Sequence, residues 1–184
     1  MKHTILFAGH MIDKEDRKEP RFSASKEMLV RTEILKQLIK EKERETEVLI
    51  GIAGGACGGD ILFHELCKEI GIKSEIYLAY PVEEFKKQSV SFAGKTWEMR
   101  FDRLINKLPV HILPLERSKI TENDAWVAVN LWMLDCAFQT KEKKITLIAL
   151  WDMKKGDGNG GTAHMIDIAK NKGARIDIVN INEI

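Results

Sequence analysis

The chain has 184 residues, enough for one domain with a full core of its own. Its 29 Lys+Arg against 28 Asp+Glu leave a formal charge of +1, so no global field recruits nucleic acid or a membrane surface. Three cysteines (Cys57, Cys67 and Cys136) are odd in number and lack metal-ligand spacing, which argues for a reduced, cytoplasmic protein and no metal site. No signal peptide precedes the first apolar run, and no run approaches the roughly 20 residues of a membrane span.

Thr4–Ala8 is a short apolar run ending at Gly9 and predicts a buried first strand. A polar loop containing Pro20 leads to Ser25, a helix N-cap. Met28, Leu35, Leu38 and Ile39 then recur at helical spacing, giving an amphipathic helix to about Glu45 with those residues inward. Val48–Ile52 is the second strand, and Leu62, Leu66 and Ile70 line the helix after it. Lys73–Ala79 is the third strand, closed by Tyr80-Pro81, with shorter helices at Val82–Gln88 and Thr96–Lys107. Val110–Leu115 is a fourth strand. Glu122–Thr140 reads as a helix apolar almost all round, so either the core or a second copy must cover it. Two-fold packing of that helix predicts a homo-oligomer, a dimer in the simplest case. Lys144–Trp151, a helix over Ala163–Lys170 and a strand over Arg175–Ile181 complete the pattern. Strands alternating with helices predict an α/β fold, a parallel sheet with helices on both faces, in a single domain.

Two glycine-rich stretches stand out because each follows a strand and precedes a helix. The first is Gly51-Ile-Ala-Gly-Gly-Ala-Cys-Gly-Gly-Asp60, containing Gly54, Gly55, Gly58 and Gly59. The second is Gly156-Asp-Gly-Asn-Gly-Gly-Thr162, containing Gly158, Gly160 and Gly161. Glycine lets a ligand approach the main chain, and a helix start offers unpaired N–H groups that suit phosphate. Neither stretch has the spacing of the dinucleotide fingerprint or of the Lys-Ser/Thr phosphate loop, which argues against NAD-dependent hydride chemistry and any fixed cofactor. In open parallel sheets ligands bind beyond the carboxyl ends of the strands, near the reversal of strand order. Gly9, His10, both glycine loops, Pro81 and Asp152 all fall there.

The polar and aromatic residues near these loops each carry two readings. Asp60 is a helix-start acid or a hydrogen-bond partner of a ribose hydroxyl. His10 is a ligand contact or a histidine satisfied by its own loop, and Arg21 an anion contact or a solvated cation. Trp97 and Trp151 stack on a base or pack in the core. Asn130 and Asp135 on the apolar helix read as structural hydrogen-bonding groups. His164 reads as a surface or helix-start residue.

Taken together, Phe7-Ala-Gly-His-Met-Ile-Asp13, Pro20-Arg-Phe22, Ala53-Gly-Gly-Ala-Cys-Gly-Gly-Asp60 and Tyr80-Pro-Val-Glu-Glu-Phe85 resemble the SLOG superfamily. Arg100-Phe-Asp-Arg103, Asn130, and Ala149-Leu-Trp-Asp152 with Gly156–Thr162 extend the likeness through nearly the whole chain. This superfamily spans the LOG phosphoribohydrolases and the DNA-processing protein A domain. The nearest subgroup is a SLOG-like domain fused to cyclase, TIR or tetratricopeptide-repeat modules in bacterial signalling proteins. The resemblance implies a Rossmann-like sheet and a nucleotide or nucleotide-derived ligand at both glycine loops. It further implies a sensor or ligand-binding module, acting through an effector protein where it stands alone. LOG-type hydrolases place two acidic residues after the threonine of Gly160-Gly-Thr162, whereas His164 and Met165 stand here. That departure argues against N-glycosidic cleavage by the LOG route unless Glu65, Asp152 or Asp157 substitutes. Single-stranded DNA binding is disfavoured by the near-neutral charge.

Overall fold

The computed structural model describes residues 2–44, 48–118, 124–139, 144–154 and 161–184. Six strands form one sheet, all parallel: β1 (Lys2–Gly9), β2 (Val48–Ala53), β3 (Lys73–Leu78), β4 (Val110–Ile112), β5 (Lys144–Trp151) and β6 (Arg175–Asn180). Their order is β4-β3-β2-β1-β5-β6. The helices are α1 (Glu27–Arg44), α2 (Gly59–Glu69), α3 (Val82–Ser89), α4 (Lys95–Ile105), α5 (Leu115–Ser118), α6 (Ala125–Phe138) and α7 (Thr162–Asn171). The chain is therefore α/β with a Rossmann-like arrangement. It builds outward from β1 to β4, then returns to place β5 on the other flank of β1. That reversal opens a crevice at the carboxyl ends of β1 and β5.

Side chains alternate along each strand, and in β1 this splits the core into two layers. Ile5 and Phe7 pack with α1, α2 and α4, while Leu6 faces the layer of α6 and α7. In β5, Ile148 and Leu150 join the first layer, and Leu147 and Ala149 the second. Burial on both faces explains why these central strands are nearly continuous apolar runs.

Most strand and helix bounds match the sequence reading within two residues. The phase of α1 does not. Val30, Ile34, Leu38 and Glu41 face inward, whereas Met28 is 69% exposed and Ile39 is 39% exposed. Apolar spacing misplaced the face because a buried glutamate sits on the inward stripe. Glu41 Oε2 accepts hydrogen bonds from the Thr146 hydroxyl (2.8 Å) and from Arg175, and lies 3.4 Å from His3 Nε2. β4 stops at Ile112, and Leu115, expected in the strand, opens α5 after Pro114.

The apolar helix is α6, whose expected ends at Glu122 and Thr140 lie outside the described residues. Its own chain covers it more fully than its sequence suggests. Trp132 meets Tyr77 edge-on at 4.8 Å, Trp126 packs against Tyr80 and Phe85, and no large apolar residue of α6 is among the exposed ones. Asp135 pairs with Arg117 (3.0 Å) and Lys172 (3.3 Å), the structural role expected of it. Among the described residues, no helix is long and apolar enough to cross a membrane.

Candidate functional site

The first glycine loop is shaped by the tail of β1. Gly59 N–H donates to His10 O (3.1 Å) and Ile12 N–H to Cys57 O (3.2 Å), forming a short antiparallel bridge between Met11 and Gly58. Gly58 has φ +103°, and a Cβ there would lie 2.7 Å from Ile12 N, so both conformation and space demand glycine. On the other side His64, fully buried on α2, grips the loop. Its Nε2–H donates to Gly54 O and its Nδ1 accepts from the Ser74 hydroxyl, both at 2.9 Å. Burial drives its pKa down to about 4, against the pull of the Gly54 and Ala53 carbonyls, so the ring is neutral and can serve both partners.

A second set of contacts joins the ends of β1 and β5. Asp152, just past β5, is 3% exposed, with Oδ1 3.1 Å from His10 Nε2 and Oδ2 3.1 Å from Arg21 Nε. The backbone N–H of Asp152 also donates to His10 Nε2 (3.1 Å). One ring nitrogen cannot accept from the amide while donating to the carboxylate, so the proton position on His10 selects between the two contacts. Burial would raise the Asp152 pKa. The Lys154 N–H, His10 and Arg21 outweigh it and hold the carboxyl below its usual range. Burial, with Arg21 and Arg17 adding to it, holds the His10 pKa below its ordinary value against the opposing pull of Asp152. Arg21 is itself set by its loop, its N–H donating to Asp13 Oδ2 (2.8 Å). Met153 takes a left-handed φ of 63° between Asp152 and Lys154, whose N–H bonds back to Asp152 Oδ1 (3.1 Å).

Between these two structures lies a cleft of about 490 Å³ at the crevice predicted by strand order. Its walls include Tyr77, Phe85, Trp126, Val129 and Met133 on one side and Gly9, His10, Arg21, Gly161 and Thr162 on the other. Asp60, on the first turn of α2, belongs to the floor with Gly54. Its Oδ2 accepts the Ala56 N–H (3.2 Å) and would stand 2.6 Å from a Cβ on Gly54. Burial raises its pKa to about 7, with the Ala56 N–H opposing. Two carboxyls at one sheet edge are thus driven in opposite directions, a pattern typical of ligand-binding and catalytic clefts.

Of the residues singled out in the sequence, the cleft brings together Gly9, His10, Arg21, Gly54, Asp60, Asn130, Gly161 and Thr162. Asp152 stands behind them, holding His10 and Arg21. Gly55, Gly58 and Gly59 are buried beneath the floor. Pro81 caps α3, the helix that brings Phe85 to the wall. Gly158, Gly160 and Asp157 lie outside the described residues. Glu65 is drawn to the opposite face of α2, where Arg100 clasps both its oxygens (2.9 and 2.7 Å). It cannot act in the cleft. Trp97 lies under the Arg100 guanidinium at 4.0 Å and Trp151 donates to Lys154 O, so neither lines the cleft. The ring at the wall is Trp126. His164 lies on α7 outside the cleft lining, and its Nδ1 is buried without a hydrogen-bond partner among the described residues.

Sequence reasoning passed over His64 and Trp126. His64 had a signal, since it falls three residues after Ile61 and three before Cys67, on a buried stripe. Trp126 had none, because only the crossing of α6 over the sheet carries it to the cleft. Comparison of the chain with protein-family models, with curated proteins and with solved structures finds no match in any of the three.

Proposed function

We propose that the cleft binds a nucleotide or nucleotide-derived signalling molecule, and that the protein is a cytoplasmic sensor or ligand-binding module of SLOG type. The observation that carries the reading is the cleft's composition. An aromatic and apolar wall suits a base, and Arg21 and His10 with the start of α7 suit an anion. A volume of about 490 Å³ falls within the range of roughly 300–1,000 Å³ usual for small-molecule sites. Occupancy is transmitted to an effector protein or a second copy of the chain. Single-stranded DNA suits it less, because among the described residues the cleft offers one arginine rather than a basic track.

We favour binding over turnover because two of the carboxylates that could replace the LOG acidic pair are committed elsewhere: Glu65 is on the far face of α2, and Asp152 is engaged by His10 and Arg21. Calorimetry with mononucleotides, dinucleotides and cyclic nucleotides tests the reading. One of them should bind the wild-type protein, and Arg21→Ala and Trp126→Ala should each weaken it about ten-fold or more. Binding unaffected by both substitutions in folded protein would move the site elsewhere. Chromatography for released base, under multiple turnover, would move the N-glycosidase reading to first place.

A further inference from the structure

We propose that Asp60 is the specificity residue of the cleft, accepting hydrogen bonds from the sugar hydroxyls of the ligand so that ribonucleotides bind and deoxyribonucleotides are rejected. This rests on the nucleotide reading above and deepens it.

The argument begins with strand order. Along the cleft edge the strands run β3, β2, β1, β5. Trp126 packs against Tyr80 and Phe85, which follow β3; Gly54 and Asp60 follow β2; Gly9 and His10 follow β1; Arg21 is held by Asp152 at the end of β5. Adjacent strands are about 4.8 Å apart, so the aromatic wall and the cationic end are separated by about 14 Å, with Asp60 between them. A ligand with its ring on the wall and its anion near Arg21 must lay its middle portion over Asp60. In a nucleotide that portion is the sugar.

The state of the carboxyl fits this partner. Among the described residues only Oδ2 has a hydrogen bond, from the Ala56 N–H. Oδ1 and the second lone pair of Oδ2 therefore stay available on the cleft floor. A carboxyl beside an apolar wall repels a phosphate, so it does not mark the anionic end. Vicinal hydroxyls are neutral and donate to both oxygens, and they relieve the carboxylate of burial without an ion. Gly54 has the same logic. Any side chain there would press on Asp60 Oδ2, whereas glycine leaves the carboxyl free to meet a ligand. The bond that Asp60 makes within the fold, from the Ala56 N–H, needs an acceptor but not a charge, and an asparagine would supply it.

The test is calorimetry with nucleoside 5′-monophosphates of the four common bases, each against its 2′-deoxy and 3′-deoxy counterparts. The wild-type protein should bind the best ribonucleotide about ten-fold or more tighter than either deoxy form, the worth of a hydrogen bond to a charged acceptor. Asp60→Asn retains an acceptor for the Ala56 N–H and should narrow the gap to about two-fold, leaving deoxy affinity nearly unchanged. Equal binding of ribo and deoxy forms by the wild-type protein, or a gap that survives in D60N, would overturn the assignment while sparing the nucleotide site. If none of these monophosphates binds wild-type protein, the assignment of Asp60 is overturned, and the dinucleotides and cyclic nucleotides then decide the nucleotide reading. Because the first comparison uses wild-type protein, it does not depend on the variant folding.

Discussion

The two edges of the sheet each hold a carboxylate out of bulk water, and they treat it in opposite ways. At the amino-terminal edge, Glu41 is fully buried and meets Thr146, Arg175, His3 and Arg44 around its two oxygens. At the carboxyl-terminal edge, Asp60 has the Ala56 N–H and then an open cleft. The first arrangement fastens α1 to the starts of β1, β5 and β6. The second leaves bonding capacity unused, which folding alone would not favour. Glu41 is therefore a structural group, and Asp60 is the one for which we propose a ligand.

The largest effect expected from breaking this contrast is at Glu41. Glu41→Ala removes one partner from a buried pair and should cost about 3–5 kcal/mol in urea unfolding, with Arg175→Met in the same chain restoring part of it. Gly58→Ala comes next. It forces a side chain into a left-handed turn and against the Ile12 backbone, and should cost about 2–3 kcal/mol. A loss below about 0.5 kcal/mol, within the scatter of ordinary surface changes, would show that the β1 tail does not clamp the loop.

His64→Phe should cost about 1–3 kcal/mol, since Ser74 and the Gly54 carbonyl lose their shared partner. It carries a pH signature as well. The folded ring has a pKa of about 4 against an ordinary 6.5, so the unfolded chain takes up the proton first as pH falls. This part of the stability is complete above pH 6.5 and is lost between 6.5 and about 4. Thermal melts of H64F should lack that portion of the acid slope.

Near pH 4 Asp60→Asn should give the smallest change of the four, and at higher pH one of opposite sign. The folded carboxyl holds its proton to about pH 7, whereas an ordinary one releases it near 3.8. The folded state thus binds more protons in that window, and wild-type stability falls as pH rises through it. D60N escapes the penalty, so its melting temperature should match the wild type near pH 4 and exceed it above pH 7. A D60N protein less stable than wild type at pH 8 would place Asp60 with Glu41, as a structural group.

The strands were legible in the sequence because burial on both faces makes them unbroken apolar runs. The place of the cleft was legible too, since Gly9, Gly54 and Asp152 each follow such a run. What escaped depended on pairing across the fold. The face of α1 turned on Glu41, a charge that only Arg175 and Thr146, more than a hundred residues away in sequence, make tolerable inside. Helical spacing counted Met28 and Ile39 as inward because periodicity registers polarity and not partners. Among tryptophans, the sequence offered Trp97 and Trp151 for stacking or packing, yet Trp97 lies under Arg100, the Trp151 indole N–H is spent on Lys154 O, and the crossing of α6 delivers Trp126 instead. Likewise α6 reads as uncovered until Tyr77 and Tyr80 are seen against it. Light scattering of the wild-type protein and of Trp132→Glu reads whether a second copy adds to that cover.

The most direct test of the cleft is an amide NMR titration of the wild-type protein with adenosine 5′-monophosphate and guanosine 5′-monophosphate. Saturating shifts should concentrate at Gly9, His10, Gly54, Asp60 and Gly161, with the Trp126 indole N–H moving and the Glu41 edge silent. Shifts confined to the far face of α2, around Glu65 and Arg100, or none with either nucleotide, would contradict the account.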